Sequence, residues 1–368
     1  MFEGGMIMLY TDLIAVVDLE QGDVEEVDIE EEFIEETIGG AAANLKLLEK
    51  YPDSLILGTG VLTGTLCPGS SVGVVTAKRN GTVCHSAFNW FAGPELKLSG
   101  FSFVVIKGKS QDPVYLWLHD EIADIEKTDL WGKNTWETTD ILREELGENR
   151  IQTLVIGEGG EKKSGASLLV NNYWGCDDRN ALASVLGEKN VKAVAMRGMG
   201  EIEIDDPETF TADAETLLSH LKSTISKKGA PIEGLDSITN RYNACFNCPY
   251  PCRNFVMTGE GKGVLIFERH LTDLMSHGLD LKTAVATLED CYKTGVNPKY
   301  GKDPKALVTM GPQPVQPLET NEAWYYTIGI CPILDRFSID KERVLSMINA
   351  GSGMDVSQDH IDAVISAL

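Results

Sequence analysis

Apolar positions alternate with acidic ones from residue 7 to residue 29, around the turn-forming Asp18, Gln21 and Gly22. That period of two predicts a β-hairpin. From 30 to 51 the apolar spacing changes to the helical period, and the predicted helix stops near Tyr51 and Pro52. Short apolar runs follow at 54–62, 71–79, 101–109 and 113–120, separated by Gly, Pro and Asp, as expected of strands. Residues 134–147 carry a helical pattern that opens after Asn134. A buried strand is predicted at 151–157, a helix at 180–190 and a strand at 191–198. The composition shifts near 200–206. Beyond it the pattern is helical at 208–226, 264–277, 280–294, 340–349 and 357–368, with proline-rich loops over 298–318. The expected fold is α+β: a β-rich domain at 1–206, then a smaller, mainly helical domain at 207–368. No internal repeat or low-complexity tract interrupts it.

The chain has 368 residues, 43% hydrophobic and 24% charged, enough to bury a sizeable core. Its net charge of −24 changes the picture more. It argues against nucleic acid, whose phosphates need Lys and Arg, and against an anionic membrane surface. It suits a partner with a basic face, or serves solubility alone. The first residues lack the basic region of an export signal, and acidic residues break their apolar stretch. No run of about 20 apolar residues occurs, so neither a membrane span nor export is expected, and the expected location is the cytoplasm. In that reducing setting, eight cysteines point to metal rather than to disulfides.

Three of the eight lie in NACFNCPYPCRN, as Cys245, Cys248 and Cys252, spaced C-x2-C-x3-C. Three thiolates on one tight loop can reach three corners of an iron–sulfur cubane, with a fourth ligand from elsewhere. Zinc is the main rival; structural zinc usually uses two C-x2-C knuckles, or a knuckle and a histidine pair, and no second knuckle occurs here. The fourth ligand is Cys291 or Cys331. Cys291 sits mid-helix in LEDCYKTG, where a small buried residue is the ordinary reading. Cys331 sits in YTIGICPIL, after a glycine that lets the backbone approach closely and before a proline that ends regular structure.

Longer segments carry a resemblance: GTGVLTGTLCPGSSVGVVT (58–76), GPELKLSGFSFVVIKGKSQDPVYLW (93–117), LWGKNTWETTDILREELG (130–147), LGEKNVKAVAMRG (186–198), the cysteine loop, and NAGSGMDVSQDHI (349–361). In order and spacing they resemble the aldehyde ferredoxin oxidoreductase family of tungstopterin enzymes. The resemblance implies that Cys331, at the cysteine of the family's D-x-x-G-L-C motif, is the fourth ligand. One [4Fe–4S] cluster on Cys245, Cys248, Cys252 and Cys331 is the expected cofactor.

Departures from the family are equally informative. Family enzymes are longer, and the stretch between Cys252 and Cys331 is much shorter here. The family's R-G-L turn reads GGAAAN (39–44), its G-G-R-Y-N reads GSSVG (69–73) with Ser71 at the Arg position, and its R-A-A-G-R-G-G loop reads GCDDRNA (175–181) with Asp177 and Asp178. Tyr292 and Tyr326 stand at the aspartates of the two D-x-x-G-L motifs. Cofactor phosphates favour Arg and backbone N–H groups, and pterin rings favour carboxylates. The expectation is therefore that the pterin site is abandoned while the cluster is kept.

The resemblance also places Cys67, Cys84 and Cys176 in segments bordering the pterin pocket, where small buried residues are expected and a second metal, with His85 beside Cys84, is the alternative. His85 is expected to be structural, and Glu268 and His270 to lie on a solvated helix face. GEGGEKKSG (157–165) lacks the phosphate-loop pattern. The expected role is an electron-transfer or scaffold subunit of a redox complex. Its partner would be a ferredoxin-like or flavin-containing subunit, or a second copy. The alternatives are an active tungstopterin oxidoreductase acting on an aldehyde or related carbonyl, and a protein whose cluster is purely structural. No catalytic residue is assigned.

Overall fold

The computed structural model describes residues 8–11, 13–260 and 262–368. Residues 7 and 12 of the expected hairpin, and 1–6 of the stretch read for a leader, lie outside them. Two six-stranded sheets form first. One contains β1 (Leu13–Asp18), β2 (Asp23–Asp28), β3 (Leu55–Thr59), β4 (Gly73–Arg79), β5 (Thr82–Phe88) and β6 (Phe101–Lys107), in the order β2-β1-β6-β3-β4-β5. The other contains β7 (Val114–His119), β8 (Ile122–Lys127), β9 (Gln152–Val155), β10 (Val170–Asn171), β11 (Trp174–Gly175) and β12 (Val191–Met196), in the order β11-β10-β9-β12-β7-β8. Each sheet has one parallel pair, β1 with β6 and β12 with β7; the other pairs are antiparallel.

Side-chain alternation explains the layering. Ala15, Val17, Leu55, Leu57, Val104 and Ile106 point into a core shared with the second sheet. Their neighbours Ile14, Val16, Ile56, Phe103 and Val105 point the other way, into a core shared with helices. Successive strand residues face opposite sides, so a sheet buried on both faces reads as a continuous apolar run. The helices on that second face include Gly40–Lys50, Pro207–Thr224, Thr320–Ile328, Lys341–Ser352 and Gln358–Ile365. Among the described residues no helix is long and apolar enough to cross a membrane.

Several expectations need correction. The helix expected over 30–51 is two helices, Glu31–Thr37 and Gly40–Lys50, because Ile38 and Gly39 take φ of 62° and 144°. The helical reading of 264–277 fails at its start. Residues up to 266 form β15 (Lys262–Ile266), which pairs with β14 (Arg253–Gly259), itself paired with β13 (Arg241–Asn243). Their helical-looking apolar spacing is overridden by hairpin pairing. This small sheet holds the cysteine segment in its first connection. The expected helix survives only as Glu268–Ser276.

Candidate metal centre

The loop between β13 and β14 is fixed by backbone geometry before any metal is considered. Cys248 N–H donates to the carbonyl of Cys245 (3.2 Å), and Cys252 N–H to that of Tyr250 (2.8 Å). Asn247 takes φ of 44°, a left-handed conformation that Asn tolerates. Its side-chain amide donates to the carbonyl of Cys67 (3.1 Å) and to that of Leu66. Its own carbonyl accepts from Gly69 N–H (2.9 Å). Phe246 N–H donates to Trp90 (3.0 Å), and Tyr250 Oη to the carbonyl of Gly229 (2.6 Å).

Cys331 arrives by a separate route. Helix Thr320–Ile328 ends at Gly329, whose φ is 93° and where a Cβ would lie 2.1 Å from Thr63 Oγ1. Only glycine fits that close approach. Cys331 N–H then donates to Gly69 (3.1 Å), the residue that also binds Asn247. As a result Cys245, Cys248, Cys252 and Cys331 line one small hollow with Asn89, Tyr250, Arg253, Ile333 and Leu334. Cys291 lies elsewhere, in an apolar cluster with Ala166, Val296, Leu307 and Val308. Cys67 is in the helix-facing core, and Cys84 and Cys176 are in the inter-sheet core. Among the described residues no three His, Cys, Asp or Glu side chains converge as ligands of a single ion would.

The hollow suits a negatively charged, sulfur-ligated group. Burial, aided by neighbouring thiolates, raises the thiols of Cys248 and Cys331 and lifts Cys252 up to about 11. These three thiols resist ionising without a counter-charge, and metal binding displaces thiol protons. That counter-charge has a fixed share already. Arg253 is 3% exposed, and its Nη1 has no hydrogen-bond partner.

Beside the hollow, sharing Asn89, Cys331 and Ile333 with it, opens a cleft of about 350 Å³. It contains Asp177 and Tyr326, two of the positions that set this sequence apart. It also contains three arginines that the sequence reading passed over: Arg179, Arg269 and Arg336. Arg179 was legible, being in the same loop as Asp177. All three are paired. Arg179 Nε and Nη2 donate to Asp177 (3.1 and 2.8 Å), and its guanidinium also pairs with Glu322. Arg269 Nη1 donates to Asp177 (3.0 Å), and Arg336 Nη1 to Glu268 (2.8 Å). Burial alone would raise the Asp177 carboxyl, but the Arg179 hydrogen bonds and the two guanidinium charges hold it below the usual carboxylate range. Tyr326 Oη donates to the same carboxylate at 3.3 Å.

The remaining departures are absorbed into packing. Asp178 is fully buried and accepts from the N–H groups of Leu169, Leu182 and Ala183 and from Ser86 Oγ. Ser71 is buried with an unpartnered hydroxyl. The GGAAAN turn starts a helix pressed so closely on Thr320–Ile328 that a Cβ at Gly40 would lie 1.9 Å from the Tyr326 carbonyl. His270 is not solvated as expected. It is 1% exposed, with Nδ1 3.1 Å from Tyr292 Oη, and burial pushes its imidazole down to about 3. Glu268 pairs with Arg336. His85 meets Thr76 Oγ1 at 2.9 Å.

Residues 14–198 match the family model described as the aldehyde ferredoxin oxidoreductase N-terminal domain. The tungsten-containing aldehyde ferredoxin oxidoreductase of Thermococcus kodakarensis is 28% identical over 312 residues, 81% of this chain and 50% of that protein. A protein of Pyrococcus furiosus described as the WOR-like subunit of an aliphatic sulfonate oxidoreductase is 31% identical over 170 residues, 42% of this chain and 27% of that one. Among solved structures, the active-site complex BamBC of benzoyl coenzyme A reductase, with 1,5-dienoyl-CoA, superposes with a TM-score of 0.73. The overlap covers 98% of this chain and 60% of that one at 19% identity, a likeness of fold. The chain spans between a quarter and a half of the length of the curated relatives it matches.

Proposed function

The chain belongs to the aldehyde ferredoxin oxidoreductase family, and from that premise we propose that it is an electron-transfer subunit of a redox complex. In this reading it binds one [4Fe–4S] cluster on Cys245, Cys248, Cys252 and Cys331 and has given up the pterin site. The observation that carries the reading is one hollow lined by all four cysteines together with a buried arginine that has no carboxylate partner among the described residues. A bound cluster would supply one-electron transfer. The chain's own residues do the rest. The loop hydrogen bonds to Cys67, Gly69 and Trp90 hold three thiols in place, Gly329 sets the fourth, and Tyr250, Ile333 and Leu334 exclude water.

Loss of the pterin site is supported by what now occupies its matching positions. Asp177 and Tyr326 form one network with Arg179 and Arg269, and Arg336 pairs with Glu268, so cofactor phosphates would meet guanidiniums already neutralised by carboxylates. A subunit role is supported by the surface over the cysteine loop. Leu66 (56% exposed) and Phe91 (39%) sit there, and Phe91 meets Phe246 edge-on at 6.3 Å. Exposed apolar groups in one place commonly mark an interface. The WOR-like subunit among the relatives agrees with this role. A ferredoxin-like or flavin-containing partner with a basic face, or a second copy, would bring its carrier close to the cysteines. Division into domains at 206 and a cytoplasmic location belong to the same proposal.

One observation favours a second reading, an active tungstopterin oxidoreductase: the cleft adjoins the hollow and is large enough to hold a ligand. Metal analysis of anaerobically purified protein from a tungsten-replete host separates the two. About four irons per chain without tungsten or molybdenum is expected. Stoichiometric tungsten overturns the abandoned-site reading, and absence of iron overturns the cluster.

A further inference from the structure

We infer that Arg253 is the fixed counter-cation of the four-cysteine site and holds the reduction potential of its cluster above the value set without that charge. The inference rests on the cluster reading above and goes beyond it, since ligand cysteines say nothing of potential.

Arg253 follows Cys252 directly and opens β14. Its guanidinium lies over the ring of Phe267, 4.1 Å from the centroid. Its nearest side-chain acceptor is Asn89 Oδ1, 3.4 Å from Nη2, a weak contact with a neutral group. Nη1 has no partner. Among the described residues no carboxylate pairs with it, whereas the partly buried Arg179, Arg197 and Arg343 each have at least one. Among the described residues, the charged or ionisable groups around it include Cys245, Cys252, Cys331, Cys176, Tyr292 and His270. Tyr292 and His270 are both held neutral by burial, so among the described residues the cysteines of the hollow are the main groups that could set negative charge against it.

An arginine cannot escape burial by losing its proton, and an uncompensated buried charge is costly. The compensation must come from the thiolates and what they bind. Adding an electron makes that assembly more negative, so a cation fixed beside it stabilises the reduced form more than the oxidised one. Local charge and solvent exclusion are the levers by which a protein sets such potentials. Stacking on Phe267 keeps the guanidinium from swinging away.

The test compares wild type, Arg253→Lys and Arg253→Gln, purified anaerobically, by iron and sulfide content and by EPR-monitored reductive titration. Arg253→Gln is expected to keep the cluster signal with a more negative midpoint, and Arg253→Lys to stay nearer wild type. A fully loaded Arg253→Gln with an unmoved midpoint overturns the inference, as does an equal shift in both variants, which would mean packing rather than charge. If Arg253→Gln loses its iron, retention by Arg253→Lys supports the counter-charge and loss from both overturns it. Wild type without iron and sulfide fails at the earlier step, the cluster itself, and is told apart by its metal content.

Discussion

The cysteine hollow and the cleft beside it share Asn89, Cys331 and Ile333, yet they treat buried charge in opposite ways. In the cleft every arginine is matched by a carboxylate, and Asp177 serves two of them. In the hollow Arg253 has no carboxylate partner among the described residues; its Nη1 is unpartnered and its Nη2 reaches only the neutral Asn89. A neutralised network is complete as it stands and holds neighbouring segments together. An unneutralised cation calls for an anionic occupant. On the proposed reading, the contrast separates a region built for structure from one built to hold a group.

The sharpest way to break this comparison is at the cysteines. Cys331→Ser should abolish or grossly alter the cluster, read by iron content and EPR, while Cys291→Ser, in its separate apolar pocket, should leave both unchanged. Equal iron in the two variants would mean that the hollow is not the site. Next in size is Asp177→Asn. It removes the carboxylate from two guanidiniums in a largely buried network and should cost about 3 kcal/mol in denaturant unfolding. Iron content should not change, and a loss of iron there would erase the distinction between the two regions. Smallest per residue is a pH effect. Burial pushes His85 down to about 4 and His270 to about 3, so folding favours their neutral forms. The unfolded chain binds those protons near pH 6.5 and the folded chain only well below it. Stability should therefore be level above about pH 6.5 and fall as the pH is lowered, by about 2 kcal/mol per histidine near pH 5. Denaturant midpoints near neutrality and near pH 5 measure this, and the drop should shrink in His85→Gln.

Much of this arrangement could be read from the chain. The C-x2-C-x3-C spacing marked the loop, and the glycine before Cys331 signalled a close approach that Gly329 makes against Thr63. Strands with long apolar runs, such as Phe101–Lys107, were plain because both faces are buried. Thr82–Phe88 was passed over because Cys84, His85 and Ser86 dilute its apolar pattern, although antiparallel pairing with β4 settles it as a strand. The pairing of Arg179 with Glu322 joins residues 143 apart and leaves no local trace. The solitude of Arg253 is a property of its surroundings in space; its only sequence signal is a cation placed directly after a ligand candidate.

Helix Thr320–Ile328 docks against the start of helix Gly40–Lys50 and leads directly into Cys331. This gives the site a timetable. A ribosome releases Cys245, Cys248 and Cys252 long before Cys331, so for part of synthesis the nascent chain offers three thiols with no fourth. Closure waits until a segment made late returns to one made early, through the Gly40–Tyr326 contact. A cluster delivered before that return would meet a three-point cradle open on one side, while one delivered afterwards would meet a nearly shut box. On the proposed reading, a cluster inserted during synthesis would have an interval opened by the appearance of Cys252 and closed by the docking of a helix.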